Sequence, residues 1–343
     1  LRPRDATVHN ASNTSSGSVS FMELYSLTTG LIGQNGRRGA LMLTLDVKHP
    51  DVIDFIKVKK DSNWVTRQII EQCKWSGKFD DSQLKVVEQQ IRENTQIRFA
   101  NISIKVTDEF MQSVDEQNKF GTEKILVYKK KTPVTLYSIK QDSDTHFSYG
   151  IPAKDISKYE FFKLFDDAES MNDFLNAEFN TKINPLDLEN AQKKDIFGDI
   201  VISAGKDFDL AIRRSGDYML YFNSTPAGET RRIVKARDVW DVFVAGNYKT
   251  AEPGIIFWSS MAKYSPSNYV GKPIACTNPC GEVPLEEGGA CNLGSINLSR
   301  LVIDGYSPDA KINWDRLREL TVIGTRFLDN VVSWNEILNP LEK

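Results

Sequence analysis

The sequence predicts an α/β fold, and three observations carry that expectation. The apolar run Ala40-Leu41-Met42-Leu43-Thr44-Leu45 has the length and content of a buried strand, and a helical pattern opens just after it at His49-Pro50-Asp51. Residues 99–106 alternate like a second strand, and Thr107 then stands as a candidate cap for a helix beginning Asp108-Glu109-Phe110-Met111. Farther on, a helical pattern at residues 235–244 gives way to Pro253-Gly254-Ile255-Ile256-Phe257, which reads as a turn and short strand. Strands and helices alternating in this way are the grammar of an α/β chain.

Taken in order, residues 5–18 are rich in Asn, Ser, Thr and Gly and read as a hydrogen-bonding loop. Ser18 to Leu31 is helical in pattern, with Val19, Met22, Leu27 and Leu31 among its apolar positions. Gly36-Arg37-Arg38-Gly39 leads into the first strand; its arginines suit phosphates or a structural role equally, and its glycines permit a close backbone approach. In the helix after His49, Val52, Phe55 and Ile56 share a face, with proline near the first turn. A further helix is expected over 82–93, where Leu84, Val87 and Ile91 align. Between 115 and 216 the character changes to Lys129-Lys130-Lys131 and aromatic-acidic stretches such as 159–167, without a chemical motif. The last strong helix is expected over Trp314–Val332, with Leu317, Leu320, Phe327 and Val331 in register, and no internal repeat is present. The expected division is therefore 1–114, an insertion or elaboration at 115–216, and a continuation at 217–343.

Composition is that of a soluble globular protein, with 40% hydrophobic and 26% charged residues, and cytoplasmic location is the default. A net charge of −3 gives no footprint for a nucleic-acid backbone, and no apolar run approaches the roughly 20 residues that span a bilayer. The four cysteines are too few and too uneven for a secreted disulfide scaffold, and Cys276, Cys280 and Cys291 crowd into one Gly/Pro-rich stretch. The chain opens without methionine at Leu1-Arg2-Pro3-Arg4 and stops just after a helical pattern, so it reads as a fragment.

The chemistry concentrates at Asn278-Pro279-Cys280-Gly281-Glu282. In an extended segment residues two apart share a side, so an amide, a thiol and a carboxylate would face one pocket. A thiol can become a hydrogen-abstracting sulfur radical, a carboxylate can deprotonate a sugar hydroxyl, and an amide can orient the adjacent one. Cys291 would be a nearby reducing thiol if a second cysteine lay opposite it. Taken alone, Asn-Pro-Cys-Gly is as well explained by a simple turn, Cys291 by a small buried apolar residue, and the three cysteines by zinc, although no C-x-x-C pair is present.

The longer pattern, Asn278-Pro279-Cys280-Gly281-Glu282 followed by Cys291-Asn292-Leu293-Gly294-Ser295-Ile296-Asn297-Leu298, closely resembles the finger-loop signature of ribonucleotide reductase large chains. Ordered blocks resemble the same family: Leu1-Arg2-Pro3-Arg4 with Ser18–Met22, Gly36–Ala40, His49-Pro50-Asp51, Asn101–Met111 and Lys235–Trp240. The resemblance covers residues 1–114 and 230–335. It implies a ten-stranded α/β barrel of the ribonucleotide reductase and glycyl-radical type, incomplete in this chain, with a central finger loop. Cys280 would then abstract hydrogen from the 3′ carbon of a ribonucleoside di- or triphosphate, Glu282 would act as base at the 3′ hydroxyl, and Asn278 would hydrogen-bond the ribose. Cys291 would be one of two electron-supplying thiols, re-reduced by a thioredoxin-like partner; its family partner is absent from this sequence.

The same resemblance maps Asp5–Gly17, with Asp5 and Asn13, onto the first specificity loop, which helps hold a deoxynucleoside triphosphate effector at a homodimer interface formed with helix 18–31. It maps Asn94–Ala100, with Gln96 and Arg98, onto the second, which passes effector identity to the substrate base. Pro279 and Gly281 within the signature resemble the adenosylcobalamin-dependent class; the alternative is a radical from a metal-containing small subunit. The fragment alone is expected to be inactive unless segments on other chains complete it. Competing readings are a glycyl-radical enzyme on another substrate, an inactive or regulatory nucleotide-binding fragment, and a zinc-binding interaction module.

Overall fold

The structure is a computed structural model that describes residues 1–8, 13–32, 39–60, 64–95, 97–131, 152–205, 207–225 and 227–334. Arg37, Arg38 and Gln96 lie outside the described residues. The chain is mixed α/β. Helix α1 (Met22–Leu31) precedes β1 (Met42–Asp46), then come α2 (Val52–Lys57), α3 (Trp64–Trp75) and α4 (Asp81–Thr95), and β2 (Asn101–Val106) and α5 (Asp108–Phe120) follow. Next are β3 (Ile125–Lys131), β4 (Tyr159–Phe165), α6 (Ala168–Phe179), β5 (Ile200–Ser203), β6 (Phe208–Arg214), β7 (Asp217–Ser224) and β8 (Gly228–Lys235). Helix α7 (Ala236–Thr250), β9 (Gly254–Phe257), α8 (Trp258–Tyr264), α9 (Pro266–Tyr269), β10 (Ile274–Thr277), β11 (Pro284–Glu286), β12 (Val302–Ile303), β13 (Lys311–Ile312) and α10 (Trp314–Trp334) complete the order of described strands and α-helices.

The strands read from apolar patterning at 40–45, 99–106 and 254–257 come together as one parallel sheet in the order β1-β2-β9. Parallel neighbours need long crossovers, and helices α2 to α4 and α5 to α7 lie within the two connections. Period-two alternation splits β2 cleanly. Ile102, Ile104 and Val106 enter a core with Phe55, Phe110 and Phe243, whereas Asn101, Ser103 and Lys105 take the other face. Thr107 caps α5 as its position before Asp108 indicates, its hydroxyl accepting from the Phe110 N–H at 3.4 Å. Among the described residues the parallel strands do not close into a barrel.

The stretch from β3 to β6 builds a second, antiparallel sheet in the order β4-β3-β6-β5, so residue 115 falls inside α5. Helix α6 covers one side, and Met171 and Leu175 join Ile125, Val127, Phe165 and Leu210 in a separate apolar core. Against α5 the other side holds a small apolar cluster of Leu126, Tyr128 and Ala211 and, beside it, a buried ionic chain. Lys48 pairs with Glu109 at 2.8 Å, the Lys154 N–H donates to Glu109, and Lys154 pairs with Asp199 at 2.5 Å. Arg213 then joins Asp199 at 2.8 Å to Glu116 at 2.6 Å. All six of these residues are buried. Such an arrangement stands only because each charge faces its opposite.

Helix α10 corrects one expectation. Leu317 and Leu320 are half-buried, but Phe327 and Val331, expected in the same stripe, are exposed; Leu328 continues the packed face instead.

Candidate active site

The stretch that carries Cys280 is a hairpin. β10 pairs antiparallel with β11, placing Thr277 opposite Pro284 and Cys276 opposite Leu285, and residues 278–283 form its tip. Asn278 organises that tip. Its N–H donates to the Val283 carbonyl at 3.1 Å, its side-chain Oδ1 accepts from the Val283 N–H at 3.0 Å, and its carbonyl accepts from the Gly281 N–H at 3.0 Å. Gly281 sits at φ +85°, a conformation that glycine adopts without strain.

The extended alternation expected for Asn278, Cys280 and Glu282 is therefore corrected to a tight turn. Asn278 is buried and braces the turn with its amide oxygen, whereas Cys280 and Glu282 stand exposed at the tip. A local side-chain cap has displaced the strand geometry, as asparagine before a Pro-X-Gly sequence readily allows. The Asn278 Nδ2 makes no hydrogen bond among the described residues, and the same turn carries an exposed thiol and an exposed carboxylate.

Cys291 lies in an irregular, exposed segment after the hairpin. That segment docks on α10: Asn292 Nδ2 donates to the Leu328 carbonyl at 2.9 Å, and Gly294 approaches the Leu328 side chain. All four cysteines are free thiols. Among the described residues no group of three or more His, Cys, Asp or Glu side chains is placed to hold a metal ion.

Sequence reasoning did not single out the polar face of the parallel sheet. Register pairs Thr44 with Ser103 and Asp46 with Lys105 on the side of β2 that carries Asn101. Burial raises the Asp46 carboxyl above its ordinary range, against the pull of Lys105. Lys105 Nζ lies 4.3 Å over the Trp258 ring. Asn101 Nδ2 donates to the Pro279 carbonyl at 2.9 Å, joining this face to the hairpin tip. The available signal was the alternation itself, which puts three polar residues on one side of an otherwise apolar strand.

The ribonucleotide reductase barrel-domain family matches residues 1–342. The chain belongs to this family. Over its whole length it is 28% identical to the vitamin B12-dependent ribonucleoside-diphosphate reductase of Thermoplasma acidophilum, covering 27% of that protein. It is 24% identical over 97% of its length to the enzyme of that name from Mycobacterium tuberculosis, covering 28% of it. A vitamin B12-dependent ribonucleotide reductase of Bradyrhizobium diazoefficiens is 24% identical over 93% of the chain, which covers 23% of that protein. The chain thus spans roughly a quarter of the length of these relatives.

In this ribonucleotide reductase barrel-domain chain, the two segments mapped to specificity loops flank α1. The first is an arm in which the Asp5 N–H donates to Ser15 O and the Ser15 N–H to Ala6 O, both at 2.9 Å. Asp5 and Asn13 both take positive φ, at +66° and +58°. Asp5 lines a cleft with Arg4, Pro50, Asp54 and Arg232. The arm is rooted at Asp51, whose carboxylate accepts from the Arg4 N–H and from both the N–H and hydroxyl of Ser18. The second segment packs across α1: the Ile97 N–H donates to Glu23 and the Phe99 N–H to Ser26 Oγ. Arg98 is exposed, its guanidinium 5.4 Å from the Phe99 ring. Asp5 and Asn13 thus stand on the arm that precedes α1 in the chain, and Arg98 on the separate segment that packs across the helix. No described helix is long and apolar enough to cross a membrane.

Proposed function

We propose that this chain supplies the thiyl-radical centre of a ribonucleotide reductase, with Cys280 as the hydrogen-abstracting residue. The observation that carries this reading is the placement of Cys280: an exposed thiol at the tip of a turn that buried Asn278 braces and exposed Glu282 flanks.

As a thiyl radical, Cys280 takes the hydrogen atom from the 3′ carbon of a ribonucleoside di- or triphosphate, becoming S–H and leaving a substrate carbon radical. Glu282 accepts the 3′-hydroxyl proton and gives it back to the 3′ oxygen as the product forms. The 2′ hydroxyl leaves as water while Cys291 and a second thiol, supplied from elsewhere in the enzyme, give up two electrons and two protons and become a disulfide. Returning the hydrogen atom from Cys280 to the 3′ carbon restores the thiyl. Asn278 holds the ribose through its Nδ2, since its Oδ1 is committed to Val283. A thioredoxin-like protein re-reduces the disulfide.

The exposed thiol fits a radical source acting on the turn from outside the chain's core, and the relatives named as vitamin B12-dependent favour adenosylcobalamin. When bound, that cofactor supplies the initial radical; a metal-bearing small subunit is the alternative. The three parallel strands are read as part of a ten-stranded barrel that further strands complete. Helix α1, with Leu24, Leu27 and Leu31 exposed, is read as the homodimer face beside the deoxynucleoside triphosphate effector.

The test is deoxynucleotide formation by the complete reductase with a dithiol and adenosylcobalamin, comparing native protein with Cys280→Ala. Product that requires both Cys280 and the cofactor supports the reading. Activity only with an added metal-bearing subunit changes the radical source, and no product from folded native protein overturns the function.

A further inference from the structure

We infer that Asn101 is a positioning residue for Cys280, setting where the thiol sits by holding the peptide that precedes it. This rests on the reading of Cys280 as the reacting thiol.

The Pro279 carbonyl that accepts from Asn101 Nδ2 at 2.9 Å belongs to the peptide unit joining Pro279 to Cys280. Its partner is 178 positions away, so the bond is a tertiary strut and not part of the turn's own wiring. The turn's internal hydrogen bonds, between Asn278 and Gly281 or Val283, fix its shape. The Asn101 carboxamide ties that turn to the sheet, steadying those bonds and setting where the thiol stands.

Asn101 is itself held on rigid backbone. Its N–H donates to the Leu41 carbonyl at 2.8 Å, entering the β1–β2 ladder. On one side Lys59 Nζ donates to the Ala100 carbonyl at 2.7 Å, and on the other Glu252 Oε1 accepts from the Ile102 N–H at 3.1 Å. Lys59 and Glu252 also pair with each other at 2.5 Å, so one ion pair grips the strand immediately before and after Asn101. A residue wanted only for its strand propensity needs no such clamp, and asparagine is a poor strand former. Geometry rather than stability is the gain: a small displacement of a reacting atom costs far more in rate than one exposed hydrogen bond is worth in folding.

Asn101 also begins where the 97–100 segment ends. The carboxamide therefore also links the segment that packs on α1 to the Cys280 peptide.

The experiment uses the complete reductase with Asn101→Ala and Asn101→Asp, read by turnover and by amide hydrogen exchange at Gly281 and Val283. Both variants are expected to speed that exchange about fivefold, the loss of roughly one net hydrogen bond. They are expected to lower kcat at least tenfold at neutral pH with KM changed less than twofold. The carboxylate of Asn101→Asp cannot donate to Pro279, but its protonated form can. Its kcat relative to native should therefore rise as pH falls toward the carboxyl pKa, whereas that of Asn101→Ala should not. A purely structural role would give no such pH rescue. Native turnover with variants that match it in kcat and exchange overturns the role of Asn101 and leaves the reductase reading standing. Faster exchange in the variants, with folded native protein that forms no deoxynucleotide, upholds the strut and overturns the reductase reading instead.

Discussion

Gly30 and Phe99 meet so closely that a Cβ added at Gly30 would lie 2.3 Å from a carbon of the Phe99 ring. The glycine is in α1 and the ring is in the segment that leads into β2, so this contact sets how near the segment lies to the helix. Gly30→Ala should gain helix propensity of about 1 kcal/mol yet lose more through overpacking, for a net destabilisation of roughly 1 kcal/mol. In urea unfolding, Phe99→Ala combined with Gly30→Ala should recover about 1 kcal/mol relative to the sum of the single changes. Strict additivity would mean that the ring is not the obstacle.

Arg213 and Glu116 form a two-bonded pair inside the protein, and the Tyr128 hydroxyl donates to the same carboxylate at 2.6 Å. Removing one partner leaves the other charged and buried. Arg213→Met should cost on the order of 3–5 kcal/mol, measured by chemical denaturation. Arg213→Met with Glu116→Leu should cost clearly less than Arg213→Met alone; an equal or larger loss would contradict an uncompensated charge as the cause.

Asp199 gives this ionic chain a pH signature. Burial alone would raise its carboxyl, but Lys154 and Arg213 overcome that and hold it at about 2, below the usual 3.8. A carboxyl depressed by folding contributes stability that is present above its unfolded value and lost as pH falls through its folded one. Native protein should therefore lose about 2 kcal/mol between pH 4 and 2 in excess of any loss in Asp199→Asn. Parallel pH profiles for the two proteins would refute the assignment.

Asn278 has separable duties. Asn278→Ala removes the acceptor for the Val283 N–H and should destabilise by roughly 1–2 kcal/mol, whereas Asn278→Asp keeps that acceptor and should fall within about 0.5 kcal/mol of native. If Nδ2 holds the ribose, the aspartate substitution should raise KM for the ribonucleotide severalfold without loosening the turn. Equal stability of the two variants, measured by thermal unfolding, would deny the brace.

The parallel sheet was legible because its strands are short, apolar and followed by helices; Thr107 before Asp108 marked a boundary that holds. The blocks Leu1–Arg4, Ser18 and His49–Asp51, separate in sequence, are tied together through Asp51 and His49. The antiparallel sheet was not legible. In β6, Leu210, Ala211, Ile212 and Arg213 are all buried, so the alternation that betrays a half-buried strand is missing. Lys154, Asp199 and Arg213 read as surface residues in a linear sequence, and only distant pairing makes them interior ones. At the hairpin the residue types were legible and their geometry was not, because a side-chain bond from Asn278 decides it.

The buried chain from Lys48 to Arg213 bears on how this protein can be recombined. Three of its members, Lys48, Glu109 and Glu116, precede the antiparallel sheet, and three, Lys154, Asp199 and Arg213, belong to the stretch that builds it. A graft exchanging residues 121–215 with a relative would leave the Lys48–Glu109, Lys154–Asp199 and Arg213–Asp199 pairs whole, but it would part Arg213 from Glu116 and the Lys154 N–H from Glu109. Such a chimera needs an acceptor matching Glu116 for the incoming arginine and one matching Glu109 for the incoming N–H, so the two glutamates and the grafted sheet should change together or not at all.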